Sequence, residues 1–111
     1  EPLNACDAYE SFQMKKLVPV VNPNTIADGL KTSLSERTFN IIKNGTEKII
    51  TVTEEEIISA MRLIWERLKI VCEPSCSVPL AALLKEKEIF NKKKVVIILT
   101  GGNVDIKKLP F

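Results

Sequence analysis

The sequence predicts an α/β fold in which parallel-type strands are flanked by helices, and three observations carry that prediction. "VVIILT", Val95–Thr100, is an unbroken apolar run rich in β-branched residues, as in strands covered on both faces. "KIITV", Lys48–Val52, is a second, shorter β run. Between them Ile57, Met61, Ile64 and Leu68 recur at helical spacing, with Ile58 and Trp65 widening the stripe, so a helix is expected to pack on a sheet.

In chain order, Asn4 to about Met14 has helical character. Leu17–Gly29 carries Pro19 and Pro23 and is expected as a loop. "SLSERTFNIIKNG" predicts a short helix with Ser33 and Glu36 as a capping box and Asn44-Gly45 as a left-handed C-cap. The long helix opens with Thr53 as N-cap and Glu56 completing its box, and Glu54, Glu55 and Glu56 favour the positive helix start. A turn at Glu73-Pro74 leads to another helix from near Ser75, which must accommodate Pro79 in or just after its first turn. The run Lys92–Lys94 is a solvated turn before the last strand. Two strands alone do not make a stable open sheet, so the sequence reads as part of a sheet whose other strands lie elsewhere.

Composition narrows the function. The 111 residues allow one small domain or a piece of a larger one; with 45% apolar and 27% charged residues the chain is globular. A net charge of +2 does not argue for nucleic acid. No apolar run approaches the roughly 18 residues of a membrane-spanning helix. "EPLNACDAYE" has no apolar signal core, and Cys6, Cys72 and Cys76 suit a reducing, cytoplasmic setting better than a disulfide scaffold. There is no histidine, hence no histidine base or triad.

Four short stretches carry possible chemistry. "EPLNACD" sets Glu1 and Asp7 six apart with backbone carbonyls between them, the oxygen chemistry that hard divalent cations take; alternatively the carboxylates serve a helix start. "TIADGLK" is a loop in which Gly29 can take positive φ. "EPSCSVPLAAL" can aim the Glu73 carboxylate at a ligand or simply cap a helix. "LTGGN" ends a strand in a hydroxyl and two glycines, which leave room for a flat cofactor or make an ordinary turn.

Taken together and in this order, with "TVTEEEI", "WERLK" and "TGGNVD", these stretches resemble the C-terminal part of the serine racemase and serine/threonine dehydratase family, fold type II enzymes that use pyridoxal 5'-phosphate. The resemblance runs from Glu1 to about Ile106 and implies that residues 1–111 are a partial large, cofactor-binding domain. It implies that Thr100 hydrogen-bonds the pyridine nitrogen, that Gly101 and Gly102 line the ring edge, and that Glu73 stands beside the cofactor. A neutral hydroxyl does not protonate the ring as an Asp would, so the cofactor is a weaker electron sink, suited to elimination or racemisation. Glu1, Asp7 and the Ala5 carbonyl match the family's site for magnesium, manganese or calcium. Lys69 and Asn103 match positions that contact an ATP activator at a dimer interface.

The sequence departs from the family at Ser77 and Pro79, where small residues, often Gly, are usual, and at Thr100, where Thr replaces Ser but keeps the donor. The family's Schiff-base lysine motif, glycine-rich phosphate cup and second acid/base serine have no match among the 13 lysines and four glycines. The chain therefore reads as a fragment or cleaved chain, inactive alone. Its expected partners are the N-terminal part of the same enzyme, a second copy in a homodimer, and an amino-acid substrate. It ends at Phe111 without a regulatory tail, unlike a biosynthetic threonine deaminase. The alternative is a non-catalytic, truncated interaction module that keeps the scaffold and dimer surface; an upstream reading frame carrying the lysine and glycine motifs distinguishes the two.

Overall fold

The computed structural model describes all of residues 1–111 and is mostly helical. The four helices are α1 (Asp7–Met14), α2 (Glu36–Gly45), α3 (Glu54–Leu63) and α4 (Pro74–Lys85), with a π-turn at Ile64–Leu68 continuing α3. None is long and apolar enough to cross a membrane. The first expected helix divides into a 3-10 turn, Leu3–Ala5, and α1, which stops where Lys15 takes φ 55°.

The expected sheet is not formed within the chain. Lys48–Val52 and Val95–Thr100 are free of helix, but the sole strand-type contact is a parallel bridge between Pro2 and Val52. Leu3 N–H donates to Val52 O at 2.7 Å, and Val52 N–H to Glu1 O at 2.9 Å. A strand is defined by its ladder, and Val95–Thr100 has no neighbour here to pair with.

Helix starts follow side-chain chemistry. The Thr53/Glu56 capping box forms as expected: Thr53 N–H donates to Glu56 Oε2 at 2.8 Å and Glu56 N–H to Thr53 Oγ1 at 3.3 Å. Such a cap contributes about 1 kcal/mol. The α2 box is Ser35 with Thr38, not Ser33 with Glu36. Ser33 Oγ instead accepts from Val20 N–H, and Leu34 N–H donates to Asp7, so both residues are held outside the helix. Nor is there a left-handed cap at Asn44-Gly45: α2 runs through Gly45 to Thr46, and no glycine, Gly29 included, has positive φ.

Helices α3 and α4 pack together and make the core. One cluster comprises Ala27, Val52, Ile57, Ala60, Val78 and Ala81; the other comprises Met61, Ile64, Cys72 and Cys76. Leu68 leaves the expected stripe and is 57% exposed. The π-turn has more residues per turn than an α-helix, which rotates Leu68 away from the line of Ile57, Met61 and Ile64. Ser77, at a position where a small residue was expected, is fully buried; its hydroxyl donates to Pro74 O at 2.7 Å and Ile57 O at 3.3 Å. Helix α4 starts one residue earlier than expected, with Pro74 in its first turn and Pro79 inside it. Proline has no N–H, so Pro79 cannot bond the Ser75 carbonyl.

Only 17 of 111 residues are buried, while Val96 is 90% and Ile98 73% exposed, so the chain leaves much apolar surface to be covered. Burial, with the neighbouring Cys76, pushes the Cys72 thiol up to about 11 from an ordinary 9.0. As pH rises between those values the unfolded chain loses its thiol proton first, which favours unfolding. Stability is therefore expected to hold below pH 9 and to fall by on the order of 2 kcal/mol by about pH 11. Denaturant midpoints measured across this range should show the fall in the native sequence and a shallower one in Cys72→Ala; parallel curves would refute the assignment.

Candidate functional site

The four stretches singled out in the sequence meet at one cavity of about 750 Å³. Its walls include Glu1 and Asp7 from the first stretch, Gly29 from the second, Glu73 and Ser75 from the third and Thr100 from the fourth. All but Thr100 make hydrogen bonds to other parts of the chain, and Thr100 is followed by Gly101, whose carbonyl accepts from Glu73 N–H.

Glu73 is the N-cap of α4, and its N–H donates to Gly101 O at 3.0 Å. Its carboxylate accepts from Asn103 N–H at 2.9 Å. Ser75, in the first turn of α4, accepts through Oγ from Gly29 N–H at 3.1 Å. The "TIADG" loop is further held by Ala27 N–H to Thr25 Oγ1 at 3.1 Å and by Ile26 N–H to Glu54 Oε2 at 2.8 Å. Thr100 is exposed at the end of the extended Val95–Thr100 segment, on the cavity wall.

The two glycines after Thr100 are needed for close approach to the chain before α4. A Cβ on Gly101 would stand 2.8 Å from Glu73 Oε1, and one on Gly102 would stand 2.8 Å from Val71 O. Neither glycine lines the cavity.

At the opposite wall, Glu1 caps α1: its two carboxylate oxygens accept from Ala8 N–H at 3.1 Å and Tyr9 N–H at 2.8 Å. Asp7 Oδ2 accepts from Leu34 N–H at 3.1 Å, and Asp7 is 4% exposed. Burial pushes the Glu1 carboxyl above its usual range. The Ala8 and Tyr9 amides oppose that rise, and the Asp7 charge adds to it. No group of three or more His, Cys, Asp and Glu side chains is arranged to hold a metal ion. Ala5 is buried in the 3-10 turn and does not line the main cavity.

Lys69 and Asn103 lie outside the cavity, both exposed. Lys69 has φ 59° at the end of the π-turn. Asn103 acts on the site through its backbone. Sequence reasoning missed the hydroxyl residues Thr32, Ser33, Ser35 and Thr38, which line the same cavity as Glu73 and Ser75. The signal was the density of hydroxyls in "TSLSERT".

Neither glycine needs positive φ, so alanine is tolerated there by the backbone itself. Gly101→Ala should displace the flexible Glu73 carboxylate and cost about 1 kcal/mol, the worth of its hydrogen bond. Gly102→Ala meets a backbone carbonyl and should cost more, about 2 kcal/mol. Denaturant titrations of both variants, repeated in a Glu73→Ala background, test this: only the Gly101 cost should shrink when Glu73 is absent.

Comparison with known proteins places this geometry. Residues 1–101 match the family described as "Pyridoxal-phosphate dependent enzyme". The chain is 48% identical over 111 residues to the β-hydroxyaspartate dehydratase of Paracoccus denitrificans, covering 100% of this chain and 35% of that protein. It is 49% identical over 114 residues to the serine racemase of Dictyostelium discoideum, covering 98% and 35% respectively. Its fold is similar to the structure of maize serine racemase, with a TM-score of 0.90 at 34% identity over 96% of this chain and 34% of that one. The chain thus spans about a third of the length of these relatives. A chain whose residues 1–101 match this family model, and whose Thr100, Glu73 and Ser75 wall one cavity, belongs to the pyridoxal-phosphate dependent enzyme family.

Proposed function

We propose that this chain forms one wall of the cofactor pocket in a pyridoxal-phosphate enzyme acting on serine or a hydroxylated relative. The whole enzyme would racemise the amino acid, eliminate water to an oxo acid and ammonia, or do both. The observation that carries this reading is the meeting of Thr100, Glu73, Ser75, Gly29, Glu1 and Asp7, far apart in sequence, at one cavity. Its volume of about 750 Å³ lies within the range of small-molecule sites, roughly 300–1,000 Å³.

The exposed Thr100 supports a cofactor-facing role, because a hydroxyl on a cavity wall can donate to a ring nitrogen without protonating it. Bound pyridoxal phosphate supplies the electron sink that makes the substrate's α proton removable. Glu73, braced by Asn103 N–H and Gly101 O, holds its carboxylate at the same wall. The hydroxyls of Thr32, Ser33 and Ser35 offer polar contacts to a hydroxylated amino acid.

In this reading Glu1, Asp7 and the Ala5 carbonyl hold a magnesium, manganese or calcium ion. The two carboxylates are hard oxygen donors whose mutual repulsion a cation relieves. The exposed side chains of Lys69 and Asn103 contact a nucleotide activator. The Schiff-base lysine, the phosphate cup and the second acid/base come from the remaining two-thirds of the enzyme, which also covers the apolar surface around Val96 and Ile98, and the assembly pairs as a homodimer.

Combining this chain with the rest of the enzyme is expected to generate the near-visible absorbance of bound cofactor. If none appears, the reading is wrong. In that assembly Thr100→Val keeps the shape and removes the donor. Cofactor should remain bound while kcat/KM drops about tenfold, the worth of roughly one hydrogen bond. Unchanged kinetics would remove Thr100 from the site. Calorimetric magnesium binding should weaken in Asp7→Asn.

A further inference from the structure

Cys72 and Cys76 take no part in the site described above, yet they bracket it. Cys72 immediately precedes Glu73, and Cys76 lies in the first turn of α4. Cys76 N–H donates to Glu73 O at 3.1 Å, which closes residues 73–76 into a turn immediately after Cys72. Each cysteine is 1% exposed, both are free thiols, and both belong to the core cluster with Met61 and Ile64. The side chains packed against this cluster, Trp65, Leu80, Val104 and Leu109, are hydrophobic and carry no charge. Cys76 is also among the groups that act on the Cys72 thiol, as expected for neighbouring sulfurs.

Buried thiols are often apolar filler. This pair differs because the segment between its members carries Glu73 and Ser75, which line the cavity and bind Asn103 and Gly29. A bond between the sulfurs would close a ring around those residues. Disulfide geometry asks for β-carbons about 4 Å apart, a separation suited to side chains meeting across one tight turn.

We propose that Cys72 and Cys76 are a reversible disulfide site, oxidised by a peroxide, and that the bond re-sets the turn that carries Glu73. When the covering segment opens, water reaches Cys72 and removes the burial that holds its thiol protonated; the thiolate so formed attacks one peroxide oxygen and the O–O bond breaks, leaving a sulfenic acid and a hydroxide that takes the thiol's proton to become water. The Cys76 sulfur then attacks the Cys72 sulfur. The S–S bond forms, the S–O bond breaks, and the departing hydroxide takes the Cys76 proton as a second water. The two sulfurs lose two electrons and the peroxide gains them; a thiol reductant reverses the change. Access requires the Val104–Phe111 segment to lift, since Val104 and Leu109 pack against the cluster that holds the pair and Phe111 stacks edge-on against Trp65 at 6.0 Å.

The test uses the chain without cofactor, so its outcome is separable from that of the proposed function. The reduced chain is treated with hydrogen peroxide and mapped by non-reducing peptide mass spectrometry. A Cys72–Cys76 linked peptide is expected, lighter by two hydrogens, reversed by dithiothreitol, and absent from both Cys72→Ala and Cys76→Ala. Trp65 is the sole tryptophan, and its indole N–H donates to Cys72 O at 2.9 Å, so its emission should shift on oxidation. Hydrogen exchange at Asn103, whose N–H is bound by Glu73, should change severalfold in the oxidised native sequence and not in either variant. Over-oxidation of Cys72 without a link, pairing through Cys6, or a link that leaves Trp65 emission and Asn103 exchange unaltered would each overturn the proposal.

Discussion

The site depends on how Glu73 joins two segments nearly thirty residues apart. Its N–H is given to Gly101 O, and its carboxylate takes Asn103 N–H. These bonds tie the stretch after Thr100 to the start of α4, even though Val95–Thr100 pairs with no strand in this chain. The arrangement needs a residue without Cβ at 101, because Glu73 Oε1 occupies that space, and another at 102, because Val71 O does. A carboxylate so placed receives charge-assisted hydrogen bonds, which are stronger than neutral ones. Remove this junction and Thr100 has nothing to hold it at the cavity.

The junction is itself supported from beneath. Trp65 reaches Cys72 O from the π-turn, the residue before Glu73 is thereby fixed, and Ser77 locks α4 onto the Ile57 carbonyl of α3. A π-turn re-aims the side chains that follow it, and here it carries Trp65 while turning Leu68 out to solvent. The result is a packed α3–α4 pair with Glu73 and Ser75 at the start of α4, on the cavity wall. Cys72, in the connection before α4, and Cys76, in α4, belong to one core cluster, so the groups that position Glu73 and the dithiol proposed to alter its position share one small core.

How much of this could be seen in the sequence follows from the range of each interaction. The Thr53/Glu56 box was legible because both partners lie within one turn. The α2 start was not: Ser33 and Ser35 offer the same local chemistry, and contacts from Val20 and Asp7, remote in sequence, decide between them. Val95–Thr100 was recognisable as a β-type run, but a ladder requires a partner and none stands beside it here. The glycines of "TGG" were singled out as leaving space for a flat cofactor. What that space serves within this chain, Glu73 and Val71 O, depended on a contact with the loop before α4 that no local pattern reveals. The convergence of four motifs on one cavity was legible only because their order resembles a known family; spacing alone left each with an ordinary structural use.

The relatives sharpen what this wall contributes. A dehydratase and a racemase are 48% and 49% identical to nearly the whole of this chain. Similarity this even, to proteins named for different outcomes, is expected of a region serving what the two reactions have in common. Racemisation and water elimination both begin by removing the α proton, and both need the resulting electron pair to be held only weakly. They diverge afterwards, according to whether a proton returns to the opposite face or a β-hydroxyl departs. Under the proposed function, a neutral Thr100 on the same cavity wall as Glu73 would suit the shared first step, because a hydroxyl moderates the electron sink without committing the electron pair to either fate. On that reading, choice between the fates belongs to groups that touch the α carbon and the leaving hydroxyl.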